Sequence, residues 1–148
     1  MDQLERPDEP TWDERRLWFE AREAAASAAG AGRLSEQACA LMIDLQAVFC
    51  AGAWAAAVIV AASVVEAQAF LAGFPNDGRE GDRAWLRGLR NRLVHESPKQ
   101  PALTIEDQWL ARGEWERTAR KAVEIALAAL YGVPVDAPHR PARSGRAP

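Results

Sequence analysis

One short stretch, Arg90–His95, combines the residue types that suit acid–base chemistry on a phosphodiester. An imidazole titrates near neutral pH, so His95 is suited to exchange a proton with a hydroxyl group. The guanidinium of Arg90 is a permanent planar charge that matches the oxygens of a phosphate. The carboxamide of Asn91 is suited to orient either partner. We interpret Arg90, Asn91 and His95 as candidate catalytic residues for phosphodiester cleavage that needs neither a metal ion nor a cofactor.

Arginine also recurs along the residues that lead into this stretch. Arg79, Arg83, Arg87 and Arg90 fall within about 80° of one another on a helical wheel. The whole chain carries a net charge of -3, which argues against binding of nucleic acid through bulk positive potential, so a contact with RNA has to be local. We expect Arg83 and Arg87 to bind the RNA backbone; the alternative is a solvated surface of ordinary ion pairs.

The same wheel separates the candidate residues into different faces. Ala84, Gly88, Asn91 and His95 lie within about 60° of one another, which places two small residues below two polar ones. Arg90 is about 140° from His95, so the two side chains do not converge while the helix stays regular. Two copies related by a two-fold axis bring Arg90 of one chain near His95 of the other. We therefore expect a homodimer through this helix; the alternative is local unwinding that turns His95.

The apolar spacing and the helix-ending residues predict an all-α bundle of four or five helices. The expected helices are about Trp12–Ala29, a second from its cap Ser35 to a break near Gly52, Ala53–Leu71, a fourth from Gly81 to a point before Pro98, and Glu114–Tyr131. Thr11 and Glu14 form a capping box for the first helix, and Gly132 is expected to cap the last. Residues 104–109 fit either one helical turn or extended chain.

Composition divides the chain into three parts. Residues 1–10 are expected to be a flexible acidic segment, and residues 11–132 form the helical domain, which at this size has a single core. Residues 133–148 carry four prolines and no apolar period. That composition predicts a disordered tail in which His139 is inert.

Several features predict a cytoplasmic protein. The first twenty residues lack the pattern of a secretory signal, and Cys39 and Cys50 lie too far apart along a helix for a disulfide. Ala47–Val65 is uncharged over 19 residues, which is the length of a membrane span. Because Gly52 interrupts this stretch and neither Lys nor Arg flanks it directly, we expect a core helix and no membrane contact.

The tryptophans raise the question of base stacking. Trp18, Trp54, Trp85 and Trp115 each fall on an apolar helical stripe. Aromatic residues at such positions usually pack in a core. Core packing is therefore the expected role of all four, rather than contact with nucleobases.

The stretch from Leu86 to His95 resembles the signature of HEPN domains, in which an arginine and a polar residue precede a histidine near a helix end. The apolar segment from Phe49 to Ala67 is similar to the family's paired helices, which turn at a glycine (here Gly52) and carry an acid on the second helix (here Glu66). The resemblance covers about residues 10–131. One subgroup, the toxins paired with nucleotidyltransferase antitoxins, carries a tyrosine where this chain has Ser97. This departure argues against membership of that subgroup.

The resemblance implies a helical bundle that dimerises across the motif. It further implies a metal-independent endoribonuclease, of toxin, defence or RNA-processing type, that acts on RNA; an antitoxin or regulatory protein is a candidate partner. Glu66 would then pair with Arg90 or fix the tautomer of His95; the alternative for Glu66 is a purely structural ion pair. Family members that have lost activity provide a second hypothesis, a silent dimer that binds a protein or nucleotide. A helical scaffold without a functional cleft is the third.

Overall fold

Six α-helices and no strand occur among the residues that the computed structural model describes, which are 6–28, 30–73, 77–95, 97 and 99–132. The helices are α1 (Glu9–Ser27), α2 (Glu36–Cys50), α3 (Trp54–Ala72), α4 (Glu80–Val94), α5 (Asp107–Leu110) and α6 (Arg112–Tyr131). The expected all-α bundle is confirmed. Residues 1–5 of the predicted N-terminal segment, the tail 133–148 and His139 lie outside the described residues.

Helix α3 forms the centre of the bundle, because it packs against α2 and α6 along most of its length and against α4 on a further side. Its many alanines allow these neighbours to approach closely, and Ala57, Val58, Ala61 and Val64 are completely buried. Among the described helices, α3 is long and apolar enough to cross a membrane by length and composition alone. The uncharged stretch 47–65 is nevertheless not one helix, since α2 ends within it.

The turn between α2 and α3 is a glycine-dependent helix ending. Gly52 has φ = +74°, its N–H donates to the carbonyl of Phe49, and the N–H of Ala53 donates to the carbonyl of Val48. This pair of bonds is the Schellman pattern, which satisfies carbonyls that the helix leaves without partners. The predicted break near Gly52 is confirmed, and it allows α3 to fold back against α2.

Two predicted helix ends are wrong. Helix α1 begins earlier than expected, because Asp8 caps it by accepting from the N–H of Thr11 at 3.0 Å; Thr11 therefore lies inside the helix. Gly132 follows α6 with φ = -51°, so it does not adopt the left-handed conformation expected of a glycine cap. Ser35 does cap α2, through its contact with the N–H of Ala38.

The segment 99–111 joins α4 to α6 and contains the short helix α5. Asp107 anchors this segment, since its carboxylate accepts from both the N–H and the hydroxyl of Thr104, at 2.7 and 2.8 Å. Of the two alternatives for residues 104–109, the helical turn is therefore the one present. This segment forms one wall of a cleft beside the C-terminal end of α4.

Candidate functional site

The centre of the candidate site is a contact between α3 and α4. Arg90 on α4 donates through Nη2 to Oε1 of Glu66 on α3, and through Nη1 to Oδ1 of Asn91 at 3.0 Å. The Arg90 side chain is 25% exposed and that of Glu66 is 44% exposed. The structure thus brings together three of the residues that the sequence singled out, at a position open to solvent.

Arg90 is held in place, but only some of its hydrogen-bond donors are used. A guanidinium has five N–H donors in a planar fork, and the bonds to Glu66 and Asn91 use two of them. The remaining donors and the partial exposure leave the group suited to bind an anion. The contact from α3 fixes its position, which lowers the entropy that is lost when it binds.

His95 lies just beyond the last residue of α4. Its N–H still donates to the carbonyl of Asn91 at 3.0 Å, but its φ of -119° and ψ of 95° are extended rather than helical. The expectation that His95 continues the helix face of Ala84, Gly88 and Asn91 is therefore wrong. Its side chain is exposed, and within the described ranges no hydrogen bond joins it to Arg90, Asn91 or Glu66.

Arg83 does not lie on an exposed basic stripe, contrary to the expectation from the helical wheel. The residue is 7% exposed, and its Nη1 donates to both carboxylate oxygens of Asp77, at 2.8 and 3.1 Å. Burial raises the pKa of Asp77, but the bonds from the N–H of Arg79 and from Arg83 outweigh it and hold that pKa below its usual value. Arg83 thus anchors the segment before α4, and the exposed basic residue nearest Arg90 on this stripe is Arg87.

The face of α4 that carries Asn91 is open in the single chain. Ala84 and Asn91 are exposed and Gly88 is half-buried. A Cβ added at Gly88 would meet only Nη1 of Arg92, at the ordinary contact distance of 3.7 Å. The small residues are therefore not required by packing within this chain, so the surface has room for a second helix.

A second cleft beside α4 was not expected from the sequence. Trp85, Leu89 and Arg92 form one stripe at helical spacing on α4, and they line the cleft with Trp115 and Glu114 of α6. The half-buried Trp85 and Trp115 pack against the core, as predicted, and also border this cleft. The i, i+4, i+7 spacing of Trp85, Leu89 and Arg92 indicates one wall of this cleft. The sequence does not indicate the other wall, because the residues that form it are distant in sequence.

Other polar side chains in the described ranges have different roles. No three His, Cys, Asp or Glu side chains come together there as ligands for a metal ion. Arg15 and Arg112 instead donate to the carbonyls of Cys50 and Gly52, at 3.1 and 3.0 Å. They stabilise the end of α2.

Comparison of the chain with protein-family models, with curated proteins and with solved structures finds no match in any of the three.

Proposed function

We propose that the protein is a metal-independent endoribonuclease of the HEPN type, whose active site forms when two copies bring the C-terminal ends of their α4 helices together. The observation that supports this most directly is the arrangement of Arg90. Its guanidinium is fixed by Glu66 and Asn91 and is partly exposed, and the exposed His95 follows at the end of the same helix. A fixed cation beside an acid–base group is what cleavage of an RNA phosphodiester requires.

In the proposed reaction, the 2′-hydroxyl of a ribose attacks the adjacent phosphorus. His95 of one copy removes the proton of this hydroxyl, and protonated His95 of the other copy donates a proton to the 5′-oxygen as the P–O bond breaks. The products are a 2′,3′-cyclic phosphate and a free 5′-hydroxyl. Arg90 stabilises the charge on the pentacoordinate phosphorane, which is worth about 3 kcal/mol for one well-placed donor. Asn91 and Glu66 position Arg90.

Arg87 has a separate role in this proposal. It is exposed on the helix that carries Arg90, and it would bind phosphates of the same strand on either side of the cleaved bond. Such contacts add affinity that falls as the salt concentration rises. Arg83 is not part of the proposed RNA surface, because it is buried against Asp77.

The test is cleavage of single-stranded RNA by the purified protein in excess EDTA. Wild type should cut and leave 2′,3′-cyclic phosphate ends, whereas His95→Ala should reduce the rate by about a hundredfold or more. Arg90→Ala should reduce the cleavage rate by roughly the same factor. The control is Arg117→Ala, which removes an exposed arginine of α6 and should change the cleavage rate little. Equal rates for wild type and His95→Ala would refute the proposed mechanism.

The alternative is a catalytically silent dimer of the same architecture that binds a protein or nucleotide. The observation in its favour is that Arg90 already has a carboxylate partner, as expected of a structural ion pair. It predicts that wild type does not cleave RNA under any of these conditions. It also predicts that a bound nucleotide or protein, detected by calorimetry, is lost in Arg90→Ala.

A further inference from the structure

The cleft on the other side of α4 has the composition of a nucleotide-binding site. It lies between α4, the start of α6 and Ala102 of the connecting segment, and has a volume of about 310 Å³. Its walls include two half-buried tryptophans, Trp85 and Trp115, together with Leu89. Small-molecule sites are typically concave, with apolar or aromatic walls and a few polar groups that fix orientation.

The polar groups of this cleft are of three kinds. Arg92 is an exposed cation on α4, Glu114 is an exposed carboxylate on α6, and Thr118, one turn after Glu114, provides a hydroxyl. The Thr118 hydroxyl donates to the carbonyl of Glu114 at 2.9 Å, so it remains an acceptor. Arg92 also borders a neighbouring cleft of about 280 Å³ beside Leu93, so this residue lines both clefts.

Two cations lie near the tryptophans of the cleft, Lys121 against Trp85 and Arg92 in the cleft lining. The ammonium of Lys121 lies 4.2 Å from the centre of the Trp85 ring and 3.4 Å from a carboxylate oxygen of Asp82. Within the described residues, no ion pair neutralises Arg92. A ligand with an aromatic part and an adjacent negative charge therefore matches the cleft better than an apolar or a cationic one.

We propose that this cleft binds one base of a single-stranded RNA, with the base stacked on Trp115, beside Trp85, and the adjacent phosphate on Arg92. Stacking on tryptophan accepts any base, since each base has a π-face. The Glu114 carboxylate adds a preference, because it accepts from the exocyclic amino group of cytosine and repels the carbonyl oxygen that uracil has at that position. This inference rests on the proposed ribonuclease function, for which the cleft is the substrate-binding subsite.

The placement relative to Arg90 supports a subsite of this kind. Arg92 is in the last turn of α4, Arg90 precedes it by two residues and points about 160° away from it, and His95 follows at the end of the helix. A strand that crosses the end of α4 would thus meet Arg90 on one side and Arg92 on the other. The base in the cleft would fix which phosphate reaches the proposed catalytic residues.

The experiment uses a labelled oligonucleotide of about ten cytidines with 2′-O-methyl riboses, which lack the attacking hydroxyl and so cannot be cleaved by the proposed reaction. Fluorescence anisotropy gives its affinity for the full chain. Trp115→Leu is expected to weaken binding about tenfold, from the loss of base stacking, and Arg92→Glu at least as much. The matched control is Arg117→Glu, which makes the same charge change at an exposed position outside the cleft and should alter the affinity by less than about twofold.

Equal affinities for Arg92→Glu and Arg117→Glu would overturn the proposal, even if Trp115→Leu fails to fold. Absence of binding by wild type would also overturn it. The oligocytidine should bind more tightly than the matching oligouridine, and Glu114→Gln should narrow that difference. If Arg92→Glu weakens binding of the oligocytidine but wild type does not cleave unmodified RNA, the subsite is supported and the proposed catalysis is refuted. The two proposals can therefore fail independently.

Discussion

Replacement of Gly52 by alanine tests the turn that folds α3 back onto α2. Gly52 has φ = +74°, and an added Cβ would lie 2.8 Å from Nη1 of Arg15 and 3.1 Å from Nη2 of Arg112. Real Cβ atoms do not approach other atoms as closely as the first distance, so at least Arg15 has to move. Arg15 then loses its bond to the carbonyl of Cys50.

The cost has two parts. A non-glycine residue in the left-handed region lowers the free energy of unfolding by about 1–2 kcal/mol. Displacement of the Arg15 guanidinium, which donates to the carbonyl of Cys50, and a shift of a few tenths of an ångström by the Arg112 guanidinium at the carbonyl of Gly52 add about 1–2 kcal/mol, near the lower end for charged hydrogen bonds because the sites are partly exposed. The total of about 2–4 kcal/mol corresponds to a fall in Tm of roughly 5–15 °C for a chain of this size.

The measurement is thermal and urea unfolding of wild type, Gly52→Ala and Gly78→Ala. Gly78 is a matched control, because it has the same φ of +74° and no atom within 4 Å of an added Cβ. Gly78→Ala should therefore lower the free energy of unfolding only through the strained backbone conformation. Gly52→Ala should lower it by about 1–2 kcal/mol more. If the two variants lose the same stability, the two arginines do not stabilise the turn and the interpretation is wrong.

Three further predictions concern α4 and α6. Gly88→Ala should raise the free energy of unfolding by about 0.5–1 kcal/mol, because the new Cβ makes only an ordinary contact. Gly88→Trp should weaken self-association in sedimentation experiments. The control is Gly113→Trp on α6, where an added Cβ would likewise meet only the end of an arginine side chain; equal dimerisation of both tryptophan variants would argue against a dimer through the Gly88 face of α4. Burial, followed by its hydrogen bond to Glu23, raises the pKa of Tyr131 from 10.0 to about 12. The neutral phenol therefore contributes stability that is complete below pH 10 and is lost as the pH rises towards 12. Ultraviolet titration of the phenolate of this single tyrosine checks the value, and a folded-state pKa near 10 would contradict it.

The helices were predictable because their signals are local. A serine at an N-cap, an uncharged run of alanine and valine, and a glycine after the last turn each act within a few residues, so Ser35, α3 and Gly52 were found from the sequence. The start of α1 was missed because Asp8 and Thr11 are both good caps, and the side chain of Asp8 is the one that takes the free N–H. Here local competition, rather than tertiary structure, decided the outcome.

The side-chain environment was less predictable, because partners that are distant in sequence or on another element determine it. A helical wheel places Arg83 and Arg87 on one stripe, but it contains no information on Asp77, whose carboxylate holds Arg83 against the fold. The cleft of Trp85 and Trp115 has the same cause, since its walls are on two helices joined by a segment without a clear pattern. The prediction that each tryptophan packs against the core is correct, but it does not show that the two side chains together also line a cleft.

The contact between Glu66 and Arg90 constrains how the proposed reaction is assembled. Glu66 fixes the guanidinium from α3, so the donors that remain are pre-positioned and need not reorganise as charge develops on the phosphate. Proton transfer is different, because the mechanism requires a base and an acid at once, and His95 is the one histidine within the described ranges. In the proposed mechanism, a single copy of that part of the chain would therefore provide the electrostatic half of the site and one of the two proton carriers. A second copy, placed against the C-terminal end of α4, would supply the other.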